Sequence, residues 1–337
     1  MVRTLFTLMR FLATLSFLLA IPAVGPAFGS PPAQPPNGSE AGSVAGRLSD
    51  IERIMWERDA RSIPALREQA SKDADEKVRA RALGALTLLR DTGAPTVYFE
   101  RLSSDPSPRV RRAAADAIGT LGIPTDRIDR LTGPLQKDAD PMVRAECARA
   151  IGRLGSRAAV GNLMFAVTAD PSPEVRSLAA EALSRLRAAE AEPILTNSAR
   201  QDRSPTVRAR AVRALAEIAP GSSLPLFRDL WKEVGEPELR REAYRGLLLT
   251  PERPLWIEEG LRDADTSIRF SAIRAWTSRL AAMPPETRLP RTSTDIVRLE
   301  ALLKDSARGI REISRQALET LGYKVRPDGF AYSIDDR

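Results

Sequence analysis

The chain has 337 residues, of which 43% are hydrophobic and 28% charged, and its formal net charge at pH 7 is +7. These proportions suit a folded protein, and the length exceeds that of one ordinary compact core, so two domains or an array of repeats are expected. Because the sequence has no histidine and a single cysteine, Cys147, it excludes Ser-His-Asp and Cys-His catalysis, histidine-bound zinc or iron, and any disulfide or cysteine-rich metal site formed within this chain.

The first 29 residues have the pattern of a secretory signal peptide. Arg3 and Arg10 precede an uncharged apolar run over 11–21, and Ala27-Phe28-Gly29 before Ser30 fits the small-x-small cleavage pattern. We therefore predict a signal peptide over 1–29 and an exported protein, periplasmic or extracellular. The alternative is an uncleaved membrane anchor with the chain facing outside, although two prolines and a glycine interrupt the apolar stretch.

A short segment rich in Pro, Gly, Ser and Ala follows over residues 30–46. That composition cannot bury a core, so we interpret the segment as a flexible linker. Beyond it, Leu48, Ile51 and Ile54 fall at helical spacing and predict an amphipathic helix over 47–60. This helix is expected to cap the exposed end of the structure that follows.

An internal repeat dominates the rest of the chain. An aliphatic residue followed by arginine recurs at intervals of 29 to 42 residues, most of them 32, and an acidic turn precedes nearly every copy. The pairs are Val78-Arg79, Val110-Arg111, Val143-Arg144, Val175-Arg176, Val207-Arg208, Leu239-Arg240, Ile268-Arg269 and Ile310-Arg311. We number the repeats one to eight in this order.

Each copy predicts an amphipathic helix. Four and seven residues after the aliphatic residue the side chains are small, mostly alanine, and eight residues after it the side chain is large. At about 100° per residue these positions share one face. Pairs such as Ser107-Pro108 and Asp140-Pro141 supply an N-cap and a proline at the first helical position, and a less regular helix precedes each acidic turn. We therefore predict an all-α protein, an α-solenoid of about eight stacked antiparallel helix pairs over 61–322.

The arrangement D-x-x-x-x-V-R-x-x-A-x-x-A-L/I resembles HEAT repeats, in particular the short variety found in phycobilisome lyases, and it extends over about 61–322. The resemblance implies that the second helices line a concave face and that turn acids and arginines form a ladder between adjacent repeats. The residues that it assigns to this structural ladder are Asp105, Arg111, Asp138, Arg144, Asp170, Arg176, Asp202 and Arg208. Repeat six departs from the pattern, with Glu236 in place of aspartate.

Carboxylate pairs in the turns, such as Asp73/Asp75 and Asp138/Asp140, resemble part of a calcium loop. They lack the further oxygen ligands and the glycine of an EF-hand, and they recur where turns and helix caps are expected. Cys147 stands where other repeats have Ala or Ser, so we interpret it as a small buried side chain rather than a reactive thiol. No metal site, cofactor or catalytic residue is predicted.

A candidate binding surface is formed by two positions in each second helix, which lie two residues and six residues after the aliphatic residue. At about 200° and 240° these positions point away from the buried stripe, which by the resemblance means into the concave face. In repeats five to seven the sixth position is consistently arginine, and aromatic residues flank the row. The candidate binding residues are Arg213, Arg241, Tyr244, Arg245, Phe270 and Arg274. If these residues form a binding surface, we expect its partner to be an acidic protein segment or an anionic envelope polymer. The alternative is that they form an ordinary solvated face of the solenoid.

Two segments depart from the repeat. A proline-rich insertion over 281–292 predicts a projecting loop, which either carries contacts or is a tolerated insertion. The tail over 323–337 alternates around Pro327-Asp328-Gly329 and predicts a β-hairpin. This hairpin either caps the last repeat or docks a partner through its aromatic residues.

The predicted function is that of an exported, non-enzymatic scaffold that binds another macromolecule, by preference a protein, through its concave face. The alternative is an enzyme or enzyme-accessory protein of the lyase-like HEAT type, which would need a pocket with perturbed ionisable groups. HEAT-like enzymes with histidine-bound iron are excluded by composition, and nucleic acid is not expected as the partner of an exported chain. No stretch after the signal segment is hydrophobic enough to predict a membrane span, and the oligomeric state is left open.

Overall fold

The computed structural model describes residues 42–124, 128–233, 235–283, 293–326 and 331–333. The predicted signal peptide over 1–29, most of the predicted linker and most of the 281–292 insertion lie outside these residues. In the described part of the chain, no helix is long and apolar enough to cross a membrane.

The chain is a succession of helix pairs, preceded by helix α1, Val44–Glu57. The pairs of repeats one to eight are α2 Ile63–Lys72 with α3 Glu76–Leu88, α4 Pro95–Ser104 with α5 Pro108–Leu121, α6 Asp129–Lys137 with α7 Pro141–Leu154, α8 Val160–Ala169 with α9 Pro173–Arg185, α10 Glu192–Gln201 with α11 Pro205–Ile218, α12 Leu224–Trp231 with α13 Pro237–Leu247, α14 Arg253–Leu261 with α15 Thr266–Ala281, and α16 Thr294–Leu302 with α17 Arg308–Thr320. Each helix packs against its pair partner, and the pairs stack in chain order. The predicted all-α solenoid is confirmed.

The second helices begin where their sequence signals place them. At the start of α7, Asp140 Oδ1 accepts hydrogen bonds from the backbone N–H groups of Met142 (2.8 Å) and Val143 (3.2 Å), and Pro141 occupies the first helical position. These contacts satisfy donors that a helix terminus otherwise leaves without a partner. The same helix ends at Gly155, whose φ of +71° lies in the left-handed region that glycine adopts most readily.

Small residues let neighbouring second helices approach closely. A Cβ atom added to Gly119 of α5 would lie 2.7 Å from Ala150 Cα of α7, and one added to Gly152 would lie 2.9 Å from Ala182 Cα of α9. Neighbouring second helices contact each other extensively, whereas neighbouring first helices contact each other sparsely. Because the second helices are the more closely spaced layer, the array curves around them, and they line its concave face.

Helix α1 closes the N-terminal end of the array. It begins at Val44, three residues before the predicted start. Gly46-Arg47 lies 32 residues before Val78-Arg79, in register with the repeats, and Arg47 Nε lies 2.8 Å from Asp73 Oδ2. Its other face carries Arg53, which pairs with acidic residues of the same helix at 3.3 and 3.5 Å. The helix is thus the second helix of an incomplete repeat, with a polar side outward, as a terminal cap requires.

The apolar core divides within repeat seven, which contributes residues to two clusters. One cluster extends from Ile51 to Ala272, and a second extends from Ile257 to Tyr323. Helix α13 contacts α15 far less than other neighbouring second helices contact each other. At this junction a Cβ atom on Gly260 would collide with the hydroxyl of Tyr244. The large side chain of Tyr244 thus fills space that smaller residues leave open elsewhere.

A two-stranded sheet follows the last helix. Strand β1, Tyr323–Val325, pairs antiparallel with β2, Ala331–Ser333, with Tyr323 opposite Ser333. Tyr323 is buried against α17, and Arg315 Nη1 donates to the Val325 carbonyl at 3.4 Å. The predicted hairpin is confirmed, although its Pro-Asp-Gly turn lies outside the described residues, and its first strand covers the end of repeat eight.

Candidate binding surface

A ladder of ion pairs connects the repeats along the turns between first and second helices. In repeats one to seven, each arginine pairs with the acidic side chain in the turn of the following repeat. The rungs are Arg79–Asp105, Arg111–Asp138, Arg144–Asp170, Arg176–Asp202, Arg208–Glu236, Arg240–Asp263 and Arg269–Asp305. All eight ladder residues that the resemblance implies lie in it, and the longer side chain of Glu236 still reaches Arg208.

Each rung is a set of hydrogen bonds as well as a charge pair. Asp138 accepts from Arg111 Nε (2.7 Å), from Arg111 Nη2 (2.8 Å) and from the backbone N–H of Asp140 (2.9 Å). Arg111 Nη1 donates to the carbonyl of Asp105 at 2.9 Å, so the same guanidinium also holds its own turn. Burial by itself raises the pKa of Asp138, but the hydrogen bonds from Arg111 and from the backbone outweigh it and hold the pKa below its usual range. These arginines are therefore engaged within the frame.

The predicted cationic strip is partly neutralised in the structure. Arg213 and Arg245 are exposed, but the buried carboxylate of Glu242 lies between them, 3.5 Å from Arg213 Nε and hydrogen-bonded to Arg245 Nη1. Arg241 pairs with Asp265 at 2.8 Å. Arg274 is exposed and forms no ion pair with any residue that the structure describes. The strip thus carries less uncompensated charge than the run of arginines predicts.

The aromatic residues of the predicted strip have other roles. Tyr244 is completely buried, its hydroxyl donates to the Trp256 carbonyl at 2.9 Å, and its ring centroid lies 4.8 Å from that of Trp231. Its prediction as a binding residue is wrong, because α14 of the next repeat folds over it. Phe270 is half-buried and packs against the second core cluster.

A second group of basic residues lies on the concave face at repeats one and two, where the sequence reasoning placed no site. Lys77, Arg109 and Arg112 are exposed, and none of their side chains forms an ion pair or hydrogen bond with a described residue. Lys77 and Arg109 stand one residue before the aliphatic position, and Arg112 stands two residues after it. Reading both of these positions in every repeat would have found them.

A buried carboxylate lies on α7, the second helix of repeat three. Glu146 of α7 is only 4% exposed, and its Oε2 accepts from Arg149 Nη1 at 2.8 Å. Its Oε1 is buried without a hydrogen-bond partner in the described structure, 4.0 Å from Arg153 Nη1. That nitrogen already donates to Asp116 Oδ1 at 2.7 Å. Burial, opposed by the charge of Arg149 and reinforced by that of Asp116, raises the pKa of Glu146.

The other side chains considered as reactive or metal-binding groups have structural surroundings. Cys147 is fully buried, and burial raises the pKa of its thiol, so it is the small core side chain that its position predicts. The described residues contain no group of three or more acidic or cysteine side chains placed to hold a metal ion. A groove of about 500 Å³ lies along the ladder, but its Asp170, Arg176 and Asp202 are already paired within the frame.

Several solved structures are distantly similar to this chain. Among solved structures, the complex of CpcE and CpcF of phycocyanin lyase from Nostoc sp. PCC7120 is similar, with 21% identity and a TM-score of 0.45 over 67% of this chain and 94% of that chain. An engineered protein has 21% identity and a TM-score of 0.48, covering 82% of this chain and 83% of its own. Human deoxyhypusine hydroxylase, in complex with glycerol, has 19% identity and a TM-score of 0.35, covering 80% and 98%. These likenesses are too distant to bear on function.

The family comparison is more direct. No curated protein is significantly similar to the chain in sequence. The family model for HEAT repeats matches residues 63–136, 128–203 and 192–252. These matches together cover more than half of the chain and coincide with the stacked helix pairs of repeats one to six. The protein therefore belongs to the HEAT-repeat family.

Proposed function

We propose that this protein is an exported, non-enzymatic scaffold that binds another macromolecule, a protein, through the concave face of its solenoid. The observation that supports binding is the concave face itself, which exposes the unpaired cations Lys77, Arg109 and Arg112 on a frame held by the ladder. Exposed charges without internal partners are free to pair with a ligand, and a rigid frame lowers the ordering cost of binding.

The non-enzymatic part of the proposal rests on composition and on the chemistry of the described side chains. The chain has no histidine. The strongly perturbed groups, such as Tyr98, Tyr244 and Cys147, are enclosed in the core, where they do not meet a substrate. A binding role needs none of these groups to be accessible.

Site-specific photo-crosslinking in cells that express the native protein tests the binding face. A photo-crosslinking amino acid is placed on the concave face at Arg112, Arg185 or Arg274, and at the matched exposed first-helix positions Leu255 or Val297. We expect a discrete protein adduct from concave positions only. Adducts confined to the first-helix positions, or none from any position, would contradict the proposal.

Export is tested by the N-terminus of the native protein. Cleavage after Gly29 gives a mature chain that begins at or near Ser30 in the envelope or extracellular fraction. N-terminal sequencing distinguishes this outcome from an intact Met1 on a membrane-bound chain, which supports the anchored alternative. An unprocessed chain in the cytosol would overturn the proposed location.

A further inference from the structure

Helix α8 differs from every other helix in the described part of the chain, because it alone has no Asp, Glu, Lys or Arg. This absence stands out in a protein of which 28% of the residues are charged. At 59% exposure, Phe165 of the same helix is the most exposed large hydrophobic side chain among the described residues. Since α8 is a first helix, its uncharged face lies on the outer layer of the solenoid, away from the concave face.

The exposed face of α8 is symmetric about Phe165. Its exposed residues are Gly161, Phe165, Thr168 and Ala169, so that one large side chain stands between two small residues, each four positions away along the helix. A Cβ atom on Gly161 would meet nothing within 4 Å, which shows that the space beside it is open. This pattern fits an identical helix that runs in the opposite direction, because Gly161 then faces Ala169 and Phe165 faces Phe165.

A hollow beside Phe165 is large enough to receive an aromatic ring. It has a volume of about 260 Å³, and its walls include Leu135 of α6 and Ala166 of α8. An apolar cavity of roughly 150 Å³ already holds a benzene molecule. The charged groups at the edge of the hollow, Arg144 and Asp170, are paired with each other at 2.8 Å. A second copy of the chain supplies a ring for this hollow in its own Phe165.

The helices on either side of α8 favour one orientation of a second copy. Helix α6 has Asp129 in its first turn and Lys137 in its last, and α10 has Glu192 in its first turn and Arg200 in its last. If two outer layers met at α8 with parallel helices, α6 would face α10 of the other copy and ends of like charge would come together. With antiparallel helices, α6 faces α6 and α10 faces α10, so the acidic end of each meets a basic end.

We propose that the protein forms a two-fold symmetric dimer through its outer layer, in which the two α8 helices cross antiparallel at Phe165. Gly161 of one copy faces Ala169 of the other, and each Phe165 ring enters the hollow beside α8 of the other copy. The two concave faces then point away from each other, so that one dimer presents two binding faces. A partner with several binding segments gains avidity from this arrangement. The dimer goes beyond the proposed scaffold function and does not depend on it.

Sedimentation velocity of the purified native protein over a range of concentrations tests the dimer. Because the contact is confined to the centre of a convex surface, we expect a dissociation constant of about 10 µM, which Phe165→Glu should raise about ten-fold or more. The matched control Leu255→Glu makes the same change of charge at a leucine that is 52% exposed on the first helix α14, and it should associate as the wild type does. Circular dichroism should show the same helicity for all three proteins.

Disulfide crosslinking tests the orientation of the two copies. The chain has a single cysteine, Cys147, which is fully buried, so a cysteine introduced on the surface of α8 reacts without competition. Under mild oxidation, an equal mixture of the Gly161→Cys and Ala169→Cys proteins should give linked dimers, because these positions face each other. Neither variant should crosslink alone, since its two new cysteines lie about 12 Å apart along the helix pair, beyond the roughly 7 Å that a disulfide can span.

Three other results would overturn the proposal. A wild-type protein that stays monomeric at about 100 µM, or undiminished association of Phe165→Glu, rules out a dimer through α8. Disulfide-linked dimers from Gly161→Cys alone indicate a parallel crossing. A monomer that sediments with phosphatidylglycerol vesicles, and loses this binding in Phe165→Glu, identifies a lipid surface as the occupant of the face. Crosslinked partner adducts from concave positions would still uphold the scaffold function in each case, because that assay does not depend on α8.

Discussion

Glu146 shows how one buried charge makes the stability of the fold depend on pH. Its pKa is raised above the ordinary value of 4.5, which means that folding penalises the ionised form. The penalty is absent at pH values below about 4.5 and grows as the pH rises through the folded pKa. The protein therefore keeps a destabilising carboxylate at neutral pH.

Replacing Glu146 by Gln should raise the melting temperature at pH 7. The amide removes the charge while nearly preserving shape, so the advantage should shrink as the pH falls toward 4 and wild-type Glu146 becomes protonated. Melting curves of both proteins between pH 4 and pH 8 measure this. A lower melting temperature of the variant across the range would show that the ion pair with Arg149 outweighs the cost of burial.

The pKa values of the ladder carboxylates are shifted in the opposite direction, downward. Burial is outweighed by hydrogen bonds at Asp105, Asp138 and Asp202, so the pKa of each lies below the ordinary value of 3.8. The stability they contribute is fully present above that value and is lost as the pH falls through the folded pKa. The ladder is thus one source of acid sensitivity in this fold.

Asp138→Asn should destabilise the array by roughly 1–3 kcal/mol at pH 7, because it leaves donors of Arg111 without an acceptor. The difference from wild type should diminish as the pH falls below about 3.8 and through the lower folded pKa, since Asp138 itself becomes protonated there. Denaturant unfolding at several pH values tests this, with Asp50→Asn in α1 as control, since Asp50 is half-buried and only 3.5 Å from one arginine of its own helix. A difference that does not depend on pH would contradict the assigned sign.

At the scale of helices, the spacing of second helices depends on glycine at the α5–α7 and α7–α9 contacts. Gly119 faces the backbone of α7, and its Cβ would lie 2.7 Å from Ala150 Cα. Neither backbone moves without disturbing a helix on its other side, because each second helix is packed between two others. This contact therefore sets the curvature of the concave face locally.

Gly119→Ala should destabilise the protein by about 1–3 kcal/mol through overpacking. Gly84→Ala is the matched control, since it lies in the preceding second helix and a Cβ there meets nothing within 4 Å. That change should stabilise the protein by about 0.5–1 kcal/mol, because alanine is the better helix former. Equal effects of the two substitutions on urea unfolding would show that the helix contact is looser than its geometry indicates.

At the scale of the whole molecule, cooperativity is expected to break between repeats six and seven. Stability in a solenoid comes from each repeat and its interfaces with neighbours. Helix α13 contacts α15 only sparsely at this junction, and the apolar core divides into two clusters within repeat seven. The Arg240–Asp263 pair and the Tyr244 hydrogen bond to Trp256 still connect the two parts.

Repeats seven and eight should therefore lose hydrogen-exchange protection at lower denaturant concentrations than repeats two to five. Gly260→Ala, whose Cβ would collide with Tyr244, should lower protection in α14 and α15 while leaving α9 and α11 nearly unchanged. Hydrogen exchange monitored by mass spectrometry resolves these segments. Simultaneous loss of protection along the whole array would show that the junction transmits cooperativity.

The sequence by itself determined the repeat, the direction of each helix pair and the class of fold. These features depend on short-range chemistry: an apolar stripe at helical spacing, capping residues such as Asp140, and prolines at first helical positions all act within one or two turns. The same short-range pattern recurs in eight copies from Val78 to Ile310. The repetition makes the prediction of the helix pairs secure even where one copy departs from the pattern. The burial of Cys147 followed for the same reason.

Only the tertiary structure decided which charges of the concave face are free. Glu242 lies 29 residues from Arg213 in sequence yet neutralises it, and Gly260 of the next repeat covers Tyr244. Arg112 has the same position in its repeat as Arg241, which pairs with Asp265, and the two differ in what the neighbouring helices place beside them. Pairing and burial are properties of contacts between repeats, so the pattern within one helix predicts where a side chain points but not what it meets.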